Sequence, residues 1–109
     1  MAETNGTSGP RYSVGMTGPA RAEYLEIARQ SVAYGQDAAV TAAMRRIFER
    51  LRQDPRQFGD PLYPFRKMRM TVYNASLPPL YVEFGVHDDQ PVVVIRRVRW
   101  LADPTAPAS

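Results

Sequence analysis

Val40-Thr41-Ala42-Ala43-Met44-Arg45-Arg46-Ile47-Phe48-Glu49-Arg50-Leu51-Arg52-Gln53-Asp54-Pro55 is the stretch from which the fold is read. Val40, Ala43, Met44, Ile47, Phe48 and Leu51 recur at spacings of three and four, which puts them on one side of a helix. That stripe must face a core. Arg45, Arg46, Glu49, Arg50 and Arg52 fall largely on the opposite side, in solvent or against an acidic partner segment. Asp54-Pro55 ends the helix, because the residue before a proline avoids the helical region.

Upstream, Pro19 to Tyr34 reads as a first helix, with proline tolerated in its first turn. Tyr24, Leu25, Ile27, Ala28, Ser31 and Val32 form its less polar side. Glu23 and Glu26 come early, where the helix dipole favours acids, and Gly35 is a suitable stop. Gly35 and Gln36 alone separate the two helices, so they form an antiparallel hairpin. Before them, Tyr12, Val14 and Met16 alternate within Arg11–Thr17, a short first strand.

Downstream, Arg56 to Pro64 reads as a loop. A strand is expected over Phe65–Asn74, with Met68, Met70 and Val72 facing one way and Lys67, Arg69, Thr71 and Tyr73 the other. Ala75 to Pro79 is a second loop, since proline cannot donate to a ladder. Leu80–His87 alternates cleanly: Leu80, Val82, Phe84 and Val86 against Tyr81, Glu83, Gly85 and His87, the mark of a sheet buried on one face. Asp88-Asp89-Gln90 is a tight turn. Val92–Trp100 is the last strand, and its alternation breaks at Arg96-Arg97, where a bulge or an end of pairing is expected. The fold class is therefore α+β: an N-terminal strand, then a two-helix hairpin packed on a small antiparallel sheet, in the order β-α-α-β-β-β.

The totals agree with one small domain. The chain has 109 residues, 44% hydrophobic and 23% charged, ordinary for a globular fold. The segments 1–10 and 102–109 are small, polar or proline-rich and are expected to be disordered, leaving 11–101 as the folded unit. Net charge is +3, and Lys67 is the only lysine among 14 basic residues. Arginine holds phosphates and carboxylates in a bidentate fork, so the excess fits nucleic acid or an acidic protein partner, or a genome rich in arginine codons. The absence of cysteine excludes disulfides, thiolate metal sites and cysteine nucleophiles, and the single histidine, His87, leaves no set of ligands for a transition metal. No metal and no cofactor are expected. No apolar run approaches the ~20 residues of a membrane span and no leader pattern opens the chain, so a cytoplasmic location is expected.

Four features resemble the RelE/ParE superfamily of small bacterial toxins over about residues 12–101. They are the element order, the junction Asp54-Pro55 followed by Phe58-Gly59-Asp60-Pro61-Leu62, the basic/apolar run Lys67-Met68-Arg69-Met70, and the turn Val86-His87-Asp88-Asp89-Gln90 leading into a valine-rich strand. The resemblance implies a toxin of a type II toxin–antitoxin system with a protein antitoxin as partner. RelE-like members act on the ribosome and its mRNA as metal-independent endoribonucleases, with cationic side chains stabilising charge on the phosphate; ParE-like members bind DNA gyrase without being ribonucleases. A non-toxic relative serving as a binding module is a third reading.

Lys67 and Arg69 match the paired basic residues that the family uses in catalysis, and with Arg96, Arg97 and Arg99 they are the candidate RNA ligands. Tyr81 stands where the family often has an arginine, and Trp100-Leu101 leads into a neutral tail with no further histidine or tyrosine. Trp100 beside the arginines suggests base stacking, against the alternative of a charged edge strand that resists aggregation. Glu83 is read as a general base or as the cross-strand partner of Arg69. His87 is read as an acid–base group or as an exposed turn residue.

Overall fold

The computed structural model describes residues 11–101; the segments 1–10 and 102–109, expected to be disordered, lie outside the described residues. The first strand, β1 (Ser13–Met16), is short, and Tyr12, Val14 and Met16 pack against the core as their alternation predicts. Thr17 then opens α1 (Gly18–Ala33), its side-chain oxygen accepting the Ala20 N–H at 3.2 Å, which satisfies one of the free donors of the first turn. Gly35 ends this helix with φ of 67° and its N–H on the Val32 carbonyl, a left-handed position where glycine carries no Cβ penalty. The second helix, α2 (Asp37–Gln53), buries Val40, Ala43, Met44, Ile47 and Leu51 and packs Phe48 partly against the core, the stripe read from sequence. On α1 only Ala20, Ile27 and Ser31 are buried; Leu25 and Val32 are 52% and 61% exposed. The apolar residues of α1 go round the helix rather than along one side, so sequence alone does not say which ones point inward.

A single turn, α3 (Pro55–Phe58), follows Asp54. Four strands complete the chain: β2 (Asp60–Phe65), β3 (Met70–Leu77), β4 (Leu80–His87) and β5 (Val92–Trp100). They form one sheet in the order β1-β5-β4-β3-β2. β1 runs parallel to β5 and every other pair is antiparallel, so the sheet is mixed where an antiparallel one was expected. The helix hairpin covers one face, with Leu80, Val82, Phe84, Val86, Val93, Ile95, Val98 and Trp100 turned towards it. Each fully buried Leu, Ile or Phe contributes about 1.5–3 kcal/mol of transfer free energy.

Three expectations change. The segment read as a loop before Pro64 contains β2, an edge strand that pairs only with β3; Pro61 and Pro64 are compatible with it because an edge strand needs ladder donors on one side only. β3 extends to Leu77, and Pro78-Pro79 alone makes the turn to β4. The side-chain directions of β3 are also reversed. Tyr73, Ala75 and Leu77 face the core, while Met70 and Val72 are buried on the opposite, outer face. Tyr73 stacks on Phe84, its partner across the strands, with ring centroids 5.7 Å apart and planes 8° apart. Met70 lies over Gly85 on the outer face, where a Cβ would meet its sulfur at 2.8 Å.

The junction after α3 depends on a close approach. A Cβ on Gly59 would lie 2.7 Å from Phe84 Cζ and 2.8 Å from the Asn74 carbonyl oxygen. The carbonyl belongs to β3 and cannot move without breaking the ladder. Gly59→Ala is therefore expected to cost about 1–3 kcal/mol of overpacking, read as a lower midpoint in urea denaturation; an unchanged midpoint would show that α3 is free to shift.

Beyond Ile95, β1 no longer covers the edge of β5. There Glu23 of α1 accepts the outward Val98 N–H at 2.9 Å. This carboxylate closes an open sheet edge, a different duty from the helix-dipole role read from its position.

Candidate functional site

The face of the sheet away from the helices carries the polar side chains. The register aligns Val72, Gly85 and Val94 in one row across β3, β4 and β5, then Asn74, Glu83 and Arg97, then Ser76, Tyr81 and Arg99. Within these rows Tyr81 Oη donates to Glu83 Oε2 at 2.9 Å and accepts from Asn74 Nδ2 at 3.3 Å. Partial burial raises the Tyr81 pKa above its ordinary value, and the Glu83 carboxylate acts in the same sense, against Asn74 and Arg99. The phenol is thus a neutral donor at physiological pH, pinned between an amide and a carboxylate. Arg97 and Arg99 flank it and are exposed.

The bulge expected in β5 is present. Glu83 pairs with Arg97 and Phe84 with Ile95, which leaves Arg96 without a partner. Two consecutive arginines consequently share the outer face. Arg96 extends across the sheet to β2, where its guanidinium lies 5.0 Å from the centre of the Phe65 ring and donates to Tyr63 Oη at 3.2 Å. Phe65 and Tyr63 pair with Met70 and Val72 and so share that face.

Lys67 and Arg69 do not stand on a strand. The reversal from β2 to β3 takes residues 66–69, as a 3-10 turn over Arg66–Met68 with Arg69 left-handed at φ of 55°. The Lys-Met-Arg-Met alternation that reads as a strand is spent on this turn, because β2 and β3 must pair from Phe65↔Met70 onward. Lys67 is exposed at the rim. Arg69 is paired with Asp89, and its carbonyl accepts the Asp88 N–H at 2.8 Å, so it braces the β4–β5 turn. The expected Arg69–Glu83 pair does not form, since the register puts Glu83 opposite Asn74 and Arg97.

His87 caps the same turn. Its Nδ1 accepts the Asp89 and Gln90 N–H groups, each at 3.1 Å, so that nitrogen is occupied in holding the turn. Arg56 donates to the His87 carbonyl at 3.0 Å and ties the turn to α3. Trp100, expected beside the arginines, points the other way. It is buried against Tyr34, and its indole N–H donates to Gln36 Oε1 at 3.3 Å. Val98 and Trp100 alternate with Arg97 and Arg99, so the tryptophan is core and the arginines are surface. Sequence reading missed Asn74, Tyr63 and Phe65. The only hint for the last two was aromatic character in a proline-broken segment.

The site is therefore a row of arginines beside a hydrogen-bonded Asn74–Tyr81–Glu83 group, with an aromatic pair on the far edge. Such a surface can hold phosphate groups through bidentate guanidinium contacts and offers a proton donor and a carboxylate beside them.

No protein-family model matches the sequence, and no curated protein matches it. Solved structures do. A chain of the toxin–antitoxin complex RelBE2 from Mycobacterium tuberculosis superposes with a TM-score of 0.65 at 22% identity, over 88% of this chain and 98% of that one. A chain of the chromosomal ParDE toxin–antitoxin system from P. aeruginosa gives 0.57 at 17% identity, over 84% and 97%. The fold is RelE/ParE-like. The RelE/ParE-like resemblance read from the junction and element order thus holds at the level of fold. Among the described residues, no helix of this RelE/ParE-like domain is long and apolar enough to cross a membrane.

Proposed function

We propose that the protein is the toxin of a toxin–antitoxin pair and that it blocks translation by binding RNA on the outer face of its sheet. The observation that carries this reading is the Arg96–Arg97–Arg99 series, brought onto one face by the β5 bulge beside Tyr81 and Glu83. Likeness to chains of two toxin–antitoxin complexes supports the toxin role and a cognate antitoxin as partner, with the cytoplasm as the place of action. The outward arginines of α2 lie on the opposite side of the molecule and suit an acidic antitoxin segment. Cleavage of mRNA without a metal is a further step of the same reading. Arg97 and Arg99 would stabilise the phosphate charge, and Tyr81 and Glu83 would move protons. Lys67 and Arg69 contribute from the rim, Arg69 weakened by its pairing with Asp89.

A second reading is a ParE-like inhibitor that binds gyrase without chemistry. It is favoured by the placement of Lys67 and Arg69, the residues matched to the family's catalytic pair, in a turn off the polar face.

Tightly controlled induction in a bacterial culture tests these readings. Wild-type protein is expected to arrest growth. Arg97→Ala, Arg99→Ala should relieve arrest while accumulating equally, and Lys67→Ala, Arg69→Ala should relieve it less. Inhibition of peptide synthesis in a cell-free system would follow for the first reading, loss of supercoiling by purified gyrase for the second. Unimpaired growth with abundant folded protein would refute a potent toxin of either kind.

A further inference from the structure

The aromatic edge of the outer face has no part in the phosphate contacts described above. Tyr63 is 47% exposed although it lies on a paired strand. Arg96 does not point into solvent as Arg97 and Arg99 do. It is half-buried, over the Phe65 ring with Cζ 5.0 Å from the centroid, and tethered by Tyr63 Oη. The Val72–Gly85–Val94 row beneath presents no polar side chain and, at Gly85, no side chain at all. A planar cation held over an aromatic ring is a surface on which another flat ring stacks, and nucleobases stack on arginine planes and on aromatic side chains alike. The bases of a duplex are stacked on one another and closed to such a surface, so the ligand must have an unpaired base. Arg97 follows Arg96 on β5, with β4 and β3 between it and the aromatic edge on β2, so an RNA strand seated at that edge runs across the sheet towards exposed guanidinium groups.

We infer that Arg96, Phe65 and Tyr63 form a stacking shelf for one unpaired base of single-stranded RNA, whose backbone continues across the outer face towards Arg97 and Arg99. This deepens the RNA-binding reading and rests on it.

Arg96→Lys is the discriminating change, because it keeps the positive charge and removes the plane. Two probes are compared by fluorescence anisotropy: a short oligoadenylate, and an abasic oligonucleotide of the same length and charge. Wild-type protein should prefer the oligoadenylate. Arg96→Lys should lose about tenfold or more on oligoadenylate and much less on the abasic oligomer. Tyr63→Leu, which removes the exposed ring and the tether, should act in the same direction, with thermal unfolding confirming that the domain is intact. Equal wild-type affinity for the two probes would overturn the shelf while leaving RNA binding in place. An equal loss on both probes in Arg96→Lys would make Arg96 a phosphate ligand and also overturn it. Failure of wild-type protein to bind either probe would refute the RNA-binding reading itself, and the shelf with it.

Discussion

Phe84→Ala is expected to lower the free energy of unfolding by about 3–5 kcal/mol, measured by urea denaturation. Phe84 is fully buried in a central strand. Its ring is stacked between Tyr73 of β3 and Phe58 of α3, at centroid distances of 5.7 and 6.1 Å. The cavity left by alanine cannot collapse easily. Tyr73 is fixed by its ladder, and Gly59 already brings backbone close to the ring edge with no side chain to fill the space. A domain of this size is stable by about 5–15 kcal/mol, so the loss is a large share of the total. Leu25→Ala is the comparison: an apolar side chain of similar bulk, half exposed on α1, whose removal should change stability by no more than about 0.5 kcal/mol. A loss at Phe84 as small as that at Leu25 would show that the three stacked rings are not the centre of the core.

The same ring explains which parts of the fold are legible in the sequence. β4 is plain because Leu80, Val82, Phe84 and Val86 share one parity and the residues between them are polar or glycine. The α2 stripe is plain for the same reason at helical period. The β5 bulge shows as two consecutive arginines in an otherwise alternating strand. β3 offers no such contrast. Met70 and Val72 on one parity compete with Tyr73, Ala75 and Leu77 on the other, and both sets are apolar. What decides between them lies far away in sequence: Phe84 offers a ring for Tyr73 to stack on, and Gly85 leaves a hole that Met70 fills. β2 is hidden by its prolines, which an edge strand tolerates. The site divides in the same manner. Arg96, Arg97 and Arg99 follow from local pattern, whereas Lys67 and Arg69 read as strand residues because a turn with a left-handed arginine leaves no mark in composition. Asn74 joins Tyr81 and Glu83 only through the cross-strand register.

The second large effect is expected in RNA affinity. Arg97 and Arg99 are exposed ends of two adjacent rows on the outer face, and neither is engaged by an ion pair among the described residues. Removing both in Arg97→Ala, Arg99→Ala should forfeit about 1 kcal/mol per contact at such exposed positions, together about thirtyfold in Kd. Affinity alone does not identify a phosphate ligand, but salt does. Each phosphate neutralised on a single strand adds about 0.7 to the slope of log affinity against log salt. The double variant should therefore show a slope shallower by about 1.4 than wild type, with urea denaturation unchanged because both side chains lie in solvent. Arg69→Ala should alter the slope far less, since its guanidinium is already committed to Asp89. A Kd and slope that both survive the double change would place the RNA elsewhere. If growth arrest were nevertheless relieved, these arginines would be contacting a protein, and gyrase would become the target to test.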